Sequence, residues 1–391
     1  WASRSPVTLP GHSSAGQGFH RLPTVRANEQ TQASPAKHVT ATRHVLFCLA
    51  LSVLLLCGIV LVTACQAQSD TDIDENEGGS ILGPQHLALV INDEDPLSRR
   101  IAEYYLTRRH IPASNVIHVK FNPGNRVMRP ETFRELKAQL DALTPDVVQG
   151  YVLTWTAPYR VGCMSITTAF AAGFSEAFCV QGCKPTQASP YFDSDSQRPY
   201  TDHQWRPTIM LAGETFAEVK ALIDRGVAAD STHPNGTAYL LSTSNRPRNI
   251  RARFYQGIDM MQSDRFKVEI LQRDSLKNRT DVMFYFTGLA HVAGIDSNQY
   301  RPGAIADHLT SAGGKLTGSG QMSSLRWLQA GATGSYGTVV EPCAFVQKFP
   351  RPNIVIDRYL DGETLLEAYW KSVEWPGQGV FIGEPLAAPF R

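Results

Sequence analysis

The chain has almost no net charge. Its 37 Lys and Arg residues against 36 Asp and Glu leave +1, and no long basic run is present, so the electrostatic footprint of a nucleic-acid binder is missing. No internal repeat of roughly 20–50 residues occurs, which excludes solenoids and propellers. The Gly-x-Ser-x-Gly elbow of serine hydrolases is absent. Cysteine is sparse beyond the N-terminal part. Only Cys179 and Cys183 form a close pair, whereas a zinc ribbon brings two such pairs. Charge itself is missing over the twenty residues from Val45 to Ala64.

That apolar run is the most informative segment. About 20 apolar residues suffice to cross a bilayer. The run ends Val62-Thr63-Ala64-Cys65, which resembles a bacterial lipobox. The resemblance implies that Cys65 is lipidated and becomes the mature N-terminus; an uncleaved membrane span is the alternative. Lys37, Arg43 and His44 precede the run, and Asp70, Asp72, Asp74, Glu75 and Glu77 follow it. Positive charge stays inside, so both readings place the C-terminal part outside the cytoplasm, tethered to the membrane. Residues 1–44 lack apolar periodicity and are expected to be a disordered tail or an extension upstream of a start near Val39. Residues 45–65 form the signal or anchor, 66–84 an acidic tether, and 85–391 the exported domain.

Cys163, Cys179, Cys183 and Cys343 remain after Cys65. An even number outside the cytoplasm points to disulfides rather than metal. Three connectivities are open. The closeness of Cys179 to Cys183 suggests a local loop, which leaves Cys163 with Cys343.

From His86 onward, apolar runs alternate with amphipathic segments. Strands are expected at 86–92, 116–121, 147–155, 238–243, 282–286, 335–340 and 380–382. Helices are expected at 95–108, 130–143, 216–224, 248–262, 323–330 and 364–373. The alternation predicts a three-layer α/β fold, a mostly parallel sheet with helices on both faces. Residues 158–208 interrupt the rhythm as a cysteine-containing loop insertion. Ligand sites in such sheets gather at the carboxyl ends of strands.

Val90-Ile91-Asn92-Asp93-Glu94-Asp95-Pro96, Thr287-Gly288, Ser311-Ala312-Gly313-Gly314 and the closing Gly383-Glu384-Pro385-Leu386 are similar in order to the gingipain-type members of the caspase-like fold. More closely, residues 86–391 resemble an uncharacterised bacterial family of exported proteins, through Pro302-Gly-Ala-Ile-Ala-Asp-His-Leu-Thr-Ser311 and Gly379-Val-Phe-Ile-Gly-Glu-Pro-Leu386. Gingipain-like peptidases carry a His after one strand and a Cys after the next. This chain has Phe286-Thr287-Gly288-Leu289 and Thr310-Ser311-Ala312-Gly313 there, so that dyad is missing.

The first functional expectation is therefore a binding or scaffold protein using a cleft beneath the insertion. A displaced dyad of His291 and Cys343 is the second, a cysteine hydrolase. Metal-assisted hydrolysis through Asp307, His308 and Glu341 is the third. Asp307 and His308 are read as part of a short helical or turn segment, and Glu341 and Glu384 as an acidic pair at one sheet edge. Arg246, Arg248 and Arg251 cluster as an anion-binding candidate. Ser311 is a nucleophile or turn residue. No cofactor or metal is expected, and no residue pattern names the ligand or protein partner.

Cys65→Ser is expected to abolish lipid labelling and lipid-dependent membrane retention. A mutant still processed and lipidated as before would make Cys65 the end of a span.

Overall fold

The computed structural model describes residues 82–180, 182–262 and 265–391. The tail at 1–44, the apolar run with Cys65 and the tether up to 81 lie outside the described residues. Among the described residues, no helix is long and apolar enough to cross a membrane.

Ten strands make one sheet: β1 (Leu87–Asn92), β2 (Val116–Val119), β4 (Gly150–Leu153), β7 (Thr208–Met210), β8 (Thr237–Ser242), β9 (Lys267–Gln272), β10 (Val282–Thr287), β11 (Tyr300–His308), β12 (Gly334–Thr338) and β13 (Gly379–Gly383). Two-residue strands β3 (Val127–Met128), β5 (Arg160–Val161) and β6 (Met164–Ser165) form a small separate sheet. The order in the large sheet is β2-β1-β4-β7-β13-β12-β11-β10-β8-β9. Helices Pro96–Arg109, Phe216–Val227 and Leu325–Ala330 cover one face; Pro130–Leu143, Ile166–Ala172, Pro352–Leu360 and Leu365–Lys371 cover the other. The expected three-layer α/β architecture is thus present.

The central strands show why they form. All six residues of β1 and all six of β10 are buried, as a parallel strand covered on both faces requires. Edge strand β9 reads Lys-Val-Glu-Ile-Leu-Gln and stays half-exposed, its charges blunting the edge. Helix starts are specified locally. Asp95 accepts from Leu97 N ahead of Pro96, and Thr364 and Glu367 close a reciprocal capping box.

Every neighbouring pair in the large sheet is parallel except β12 with β13, where Gly334 faces Gly383 and Thr338 faces Gly379. The five strands on one side of this seam therefore run opposite to the five on the other. The edge where β10, β11 and β12 end is the edge where β7 and β13 begin. This corrects the reading of Glu341 and Glu384 as one acidic pair. Glu384 follows β13 at the far edge, fully buried, and accepts from Tyr105 Oη at 2.8 Å and Arg109 Nε at 3.0 Å.

The 158–208 segment is a crossover with structure of its own. Since β4 and β7 are parallel neighbours, the chain must return from the end of one to the start of the other. It carries the Ile166–Ala172 helix across the sheet, Phe170 packing on Phe133 and Trp155. The 300–308 stretch, containing Pro302 and Gly303, is strand β11 rather than a helical or turn segment.

Removing the Glu384 charge would leave a guanidinium that is 8% exposed with Asp230 as its remaining carboxylate partner. Breaking a buried pair costs about 3–5 kcal/mol. Glu384→Gln leaves the Asp230 pair in place, so it should lower stability in urea denaturation by up to about that amount; a change below about 1 kcal/mol would mean that Asp230 alone balances the Arg109 charge.

Candidate functional site

The loops that follow β8, β11 and β12, with Cys183 of the crossover, frame a cavity of about 340 Å³ lined by Cys183, Pro247, Arg248, Leu309, Thr310, Ser311, Glu341, Pro342, Cys343, Ala344 and Phe349. Two close backbone approaches shape it. Gly288 passes so near the Arg248 carbonyl that a Cβ would lie 1.8 Å from its oxygen. A Cβ on Gly314 would lie 2.3 Å from Gly337 O, and Gly314 N donates to Thr338 O at 2.9 Å. The Ser311–Gly314 phrase is thus a turn seated on the end of β12, with Ser311 half-buried at the cavity wall.

Gln321, which sequence reasoning missed, ties this turn. Its Oε1 accepts from Thr310 Oγ1 and Ala312 N, both at 2.8 Å. Thr310 Oγ1 in turn accepts from Arg248 Nε at 3.0 Å. No sequence signal marks a glutamine ten residues along as the partner of this turn.

Cys343 is bonded to Cys183, and Cys163 to Cys179. All four candidate cysteines are disulfide-bonded, but not as Cys179–Cys183 with Cys163–Cys343. The crossover passes the end of β12 on its way to β7, bringing the exposed Cys183 to Cys343. Lys348 Nζ holds the same loop by donating to Lys184 O at 2.8 Å. Cys343 N donates to Glu341 Oε1 at 2.8 Å. A sulfur in a disulfide cannot form the thiolate that a cysteine nucleophile needs. His291 is exposed, with Nε2 donating to Gly320 O at 3.2 Å.

Asp307 and His308 end β11 and, as successive strand residues, point to opposite faces. Asp307 is 1% exposed and pairs with Arg251 at 2.6 Å. Burial pushes its carboxyl up, against the pull of Arg251. Arg251 also donates to Thr287 O at 2.7 Å, so it is a buried strut and leaves the anion-binding set. Arg246 is exposed; of the three arginines, Arg248 lines the cavity. His308 accepts from Trp327 Nε1 at Nδ1, 2.9 Å, and donates from Nε2 to Met322 O, 3.1 Å. Both ring nitrogens are occupied and burial drives its pKa down to about 3. Asp307, His308 and Glu341 therefore do not converge on a metal.

Among the described residues, Cys163, Glu176 and Cys179 lie within ligand reach of one another, but the disulfide takes up both sulfurs. A larger cavity, about 630 Å³, opens where β8 and β9 begin. Its cations are largely spoken for: Arg265 pairs with Asp357 and Asp361, and Lys267 with Glu269.

No family model matches the chain, and no curated protein matches it. Among solved structures, a chain described as "Structure of Protease" is similar over 80% of this chain and 80% of that one, at 9% identity and a TM-score of 0.40. A likeness that slight says nothing about the reaction.

His308 supplies a pH test. Its folded pKa lies near 3 against an ordinary 6.5, so between those values the unfolded state binds a proton that the folded state refuses. Stability from this group is complete above about 6.5 and is lost as pH falls, by up to roughly 1.4 kcal/mol per unit. Glu363 works the other way: burial lifts it to about 7 from 4.5, against the pull of Lys371, so its contribution is lost as pH rises through that window. The difference between wild type and His308→Gln isolates the histidine. It should shrink steadily from pH 6.5 to 4 in chemical denaturation; a flat difference would show that the ring takes a proton in place.

Proposed function

We propose that this protein is a ligand-binding protein working outside the cytoplasm, tethered through Cys65, whose site is the cavity at the ends of β11 and β12. The carrying observation is the Cys183–Cys343 disulfide in the cavity wall. It presents a bonded sulfur where the displaced-dyad reading needs a thiolate. Two disulfides suit an oxidising compartment. The cavity also has the make-up of a small-molecule site, mostly apolar with a few placed polar groups.

The competing reading, a cysteine hydrolase built on His291 and Cys343, makes opposite predictions. Iodoacetamide on native protein, followed by peptide mapping, is expected to leave Cys343 unmodified until reductant is added. Cys343→Ala should lower the melting temperature, and reductant should do the same to the wild type. The chain-entropy relation gives a bridge spanning 160 residues about 5 kcal/mol as an upper value. Rapid labelling of native Cys343, suppressed by His291→Ala, would overturn the binding-protein reading.

A further inference from the structure

The cavity's two charged walls are each half-used by the protein. Arg248 spends Nε on Thr310 Oγ1; among the described residues no hydrogen bond or ion pair reaches its two terminal nitrogens. Glu341 spends Oε1 on Cys343 N; no hydrogen bond among the described residues reaches Oε2. In each case the bond to the protein fixes the side chain and leaves polar atoms for a ligand, the economy of a preorganised site, although the Glu341 charge also acts on the Lys348 ammonium. The rest of the lining is mostly apolar, with Leu309, Pro342, Phe349 and the disulfide, and Thr310 and Ser311 add hydroxyls.

We propose that this cavity takes a small zwitterion with an apolar body: its carboxylate on the Arg248 fork, its ammonium on Glu341. The proposal rests on the binding-protein reading and names its ligand class. A ligand with only a carboxylate would bring its charge up to Glu341, and one with only an ammonium would meet Arg248. A neutral apolar ligand would take the solvent from both charges and return nothing, which is costly for ionised groups. Only a molecule carrying both charges satisfies both walls. Arg suits the carboxylate because its planar fork binds two oxygens together. A free hydrophobic amino acid and a short hydrophobic peptide share this chemistry and differ in the separation of the two charges.

Calorimetric titration of the full chain in detergent, disulfides intact, tests this with four probes: L-phenylalanine, L-leucyl-L-phenylalanine, N-acetyl-L-phenylalanine and L-phenylalaninamide. One of the first two is expected to bind, and which of them does identifies the charge separation. For phenylalanine, loss of either charge should weaken binding about tenfold or more, each tenfold being 1.4 kcal/mol. Arg248→Gln should erase the preference for acid over amide, and Glu341→Gln the preference for free amine over acetylated. Arg248→Lys, which keeps the charge, should retain part of the first preference and guards against a folding defect in the glutamine variant. If the dipeptide is the binder, its N-acetyl and C-terminal amide forms replace the phenylalanine pair. Equal affinity for blocked and unblocked probes, or no binding by any of them, overturns the zwitterion proposal while an unlabelled Cys343 leaves the binding-protein reading standing. Labelling of native Cys343 overturns that reading instead.

Discussion

The antiparallel pairing of β12 with β13 is the constraint on which the rest of the molecule depends. In an all-parallel sheet, every loop that follows a strand would share one edge. Here five residue pairs, from Gly334 with Gly383 to Thr338 with Gly379, reverse the strand direction halfway across. The carboxyl ends of β10, β11 and β12 thereby meet the amino ends of β7 and β13. The crossover into β7 must reach that same edge, and its Cys183 arrives beside Cys343. Without the reversal, the crossover and the β12 loop would sit at different ends of the sheet, and neither the disulfide nor the cavity would form.

Beneath that edge, the polar residues that look most like chemistry hold the sheet together. Arg251 and Asp307 are each 1% exposed, and the guanidinium also reaches the carbonyl of Thr287 at the end of β10. The pair therefore fixes where β10 and β11 stop. Desolvating two charges costs several kcal/mol apiece and their attraction roughly returns it. Such a pair contributes position more than net stability. His308 does the same on the opposite face by bridging Trp327 and Met322. Arg109, Tyr105 and Glu384 anchor the far edge, with Asp230 as a further partner of the arginine.

The elements legible in the sequence were those where one force dominates. The Pro130–Leu143 helix keeps its expected bounds because Phe133, Leu136 and Leu140 define a stripe and Pro130 sets its start. β1 and β10 are continuous apolar runs that fit only a doubly covered sheet. β11 was illegible because Pro302 and Gly303 mimic a turn and its last two residues, Asp307 and His308, look exposed. Their partners come from residues 56 and 19 positions away, and no local pattern announces them. β9 was missed because an edge strand keeps charges. Of the candidate site, Arg248, Ser311, Glu341 and Cys343 do line one cavity. His291 is not among its lining residues, and Asp307 and His308 are structural. The cysteine pairing was illegible for a topological reason. Sequence spacing favours the near neighbours 179 and 183, while the path of the crossover decides which sulfurs meet.

The same bonds that close off thiolate chemistry organise the cavity. Cys343 sits in the left-handed backbone region at φ 56°, a conformation that costs a non-glycine residue roughly 1–2 kcal/mol. Two contacts hold it there: its sulfur on Cys183 and its N–H on Glu341 Oε1. The N–H contact also aims the carboxylate. Thus the disulfide, the turn and the acidic wall form one unit, as Arg248, Thr310 and Gln321 form the opposing one. The acid follows β12, whereas the base stands on the turn after β8 and is tied through Thr310 to the end of β11. The two charges therefore stand on loops of strands that are not neighbours, and the Arg248–Thr310 bond is what ties the basic side to β11, the strand beside β12.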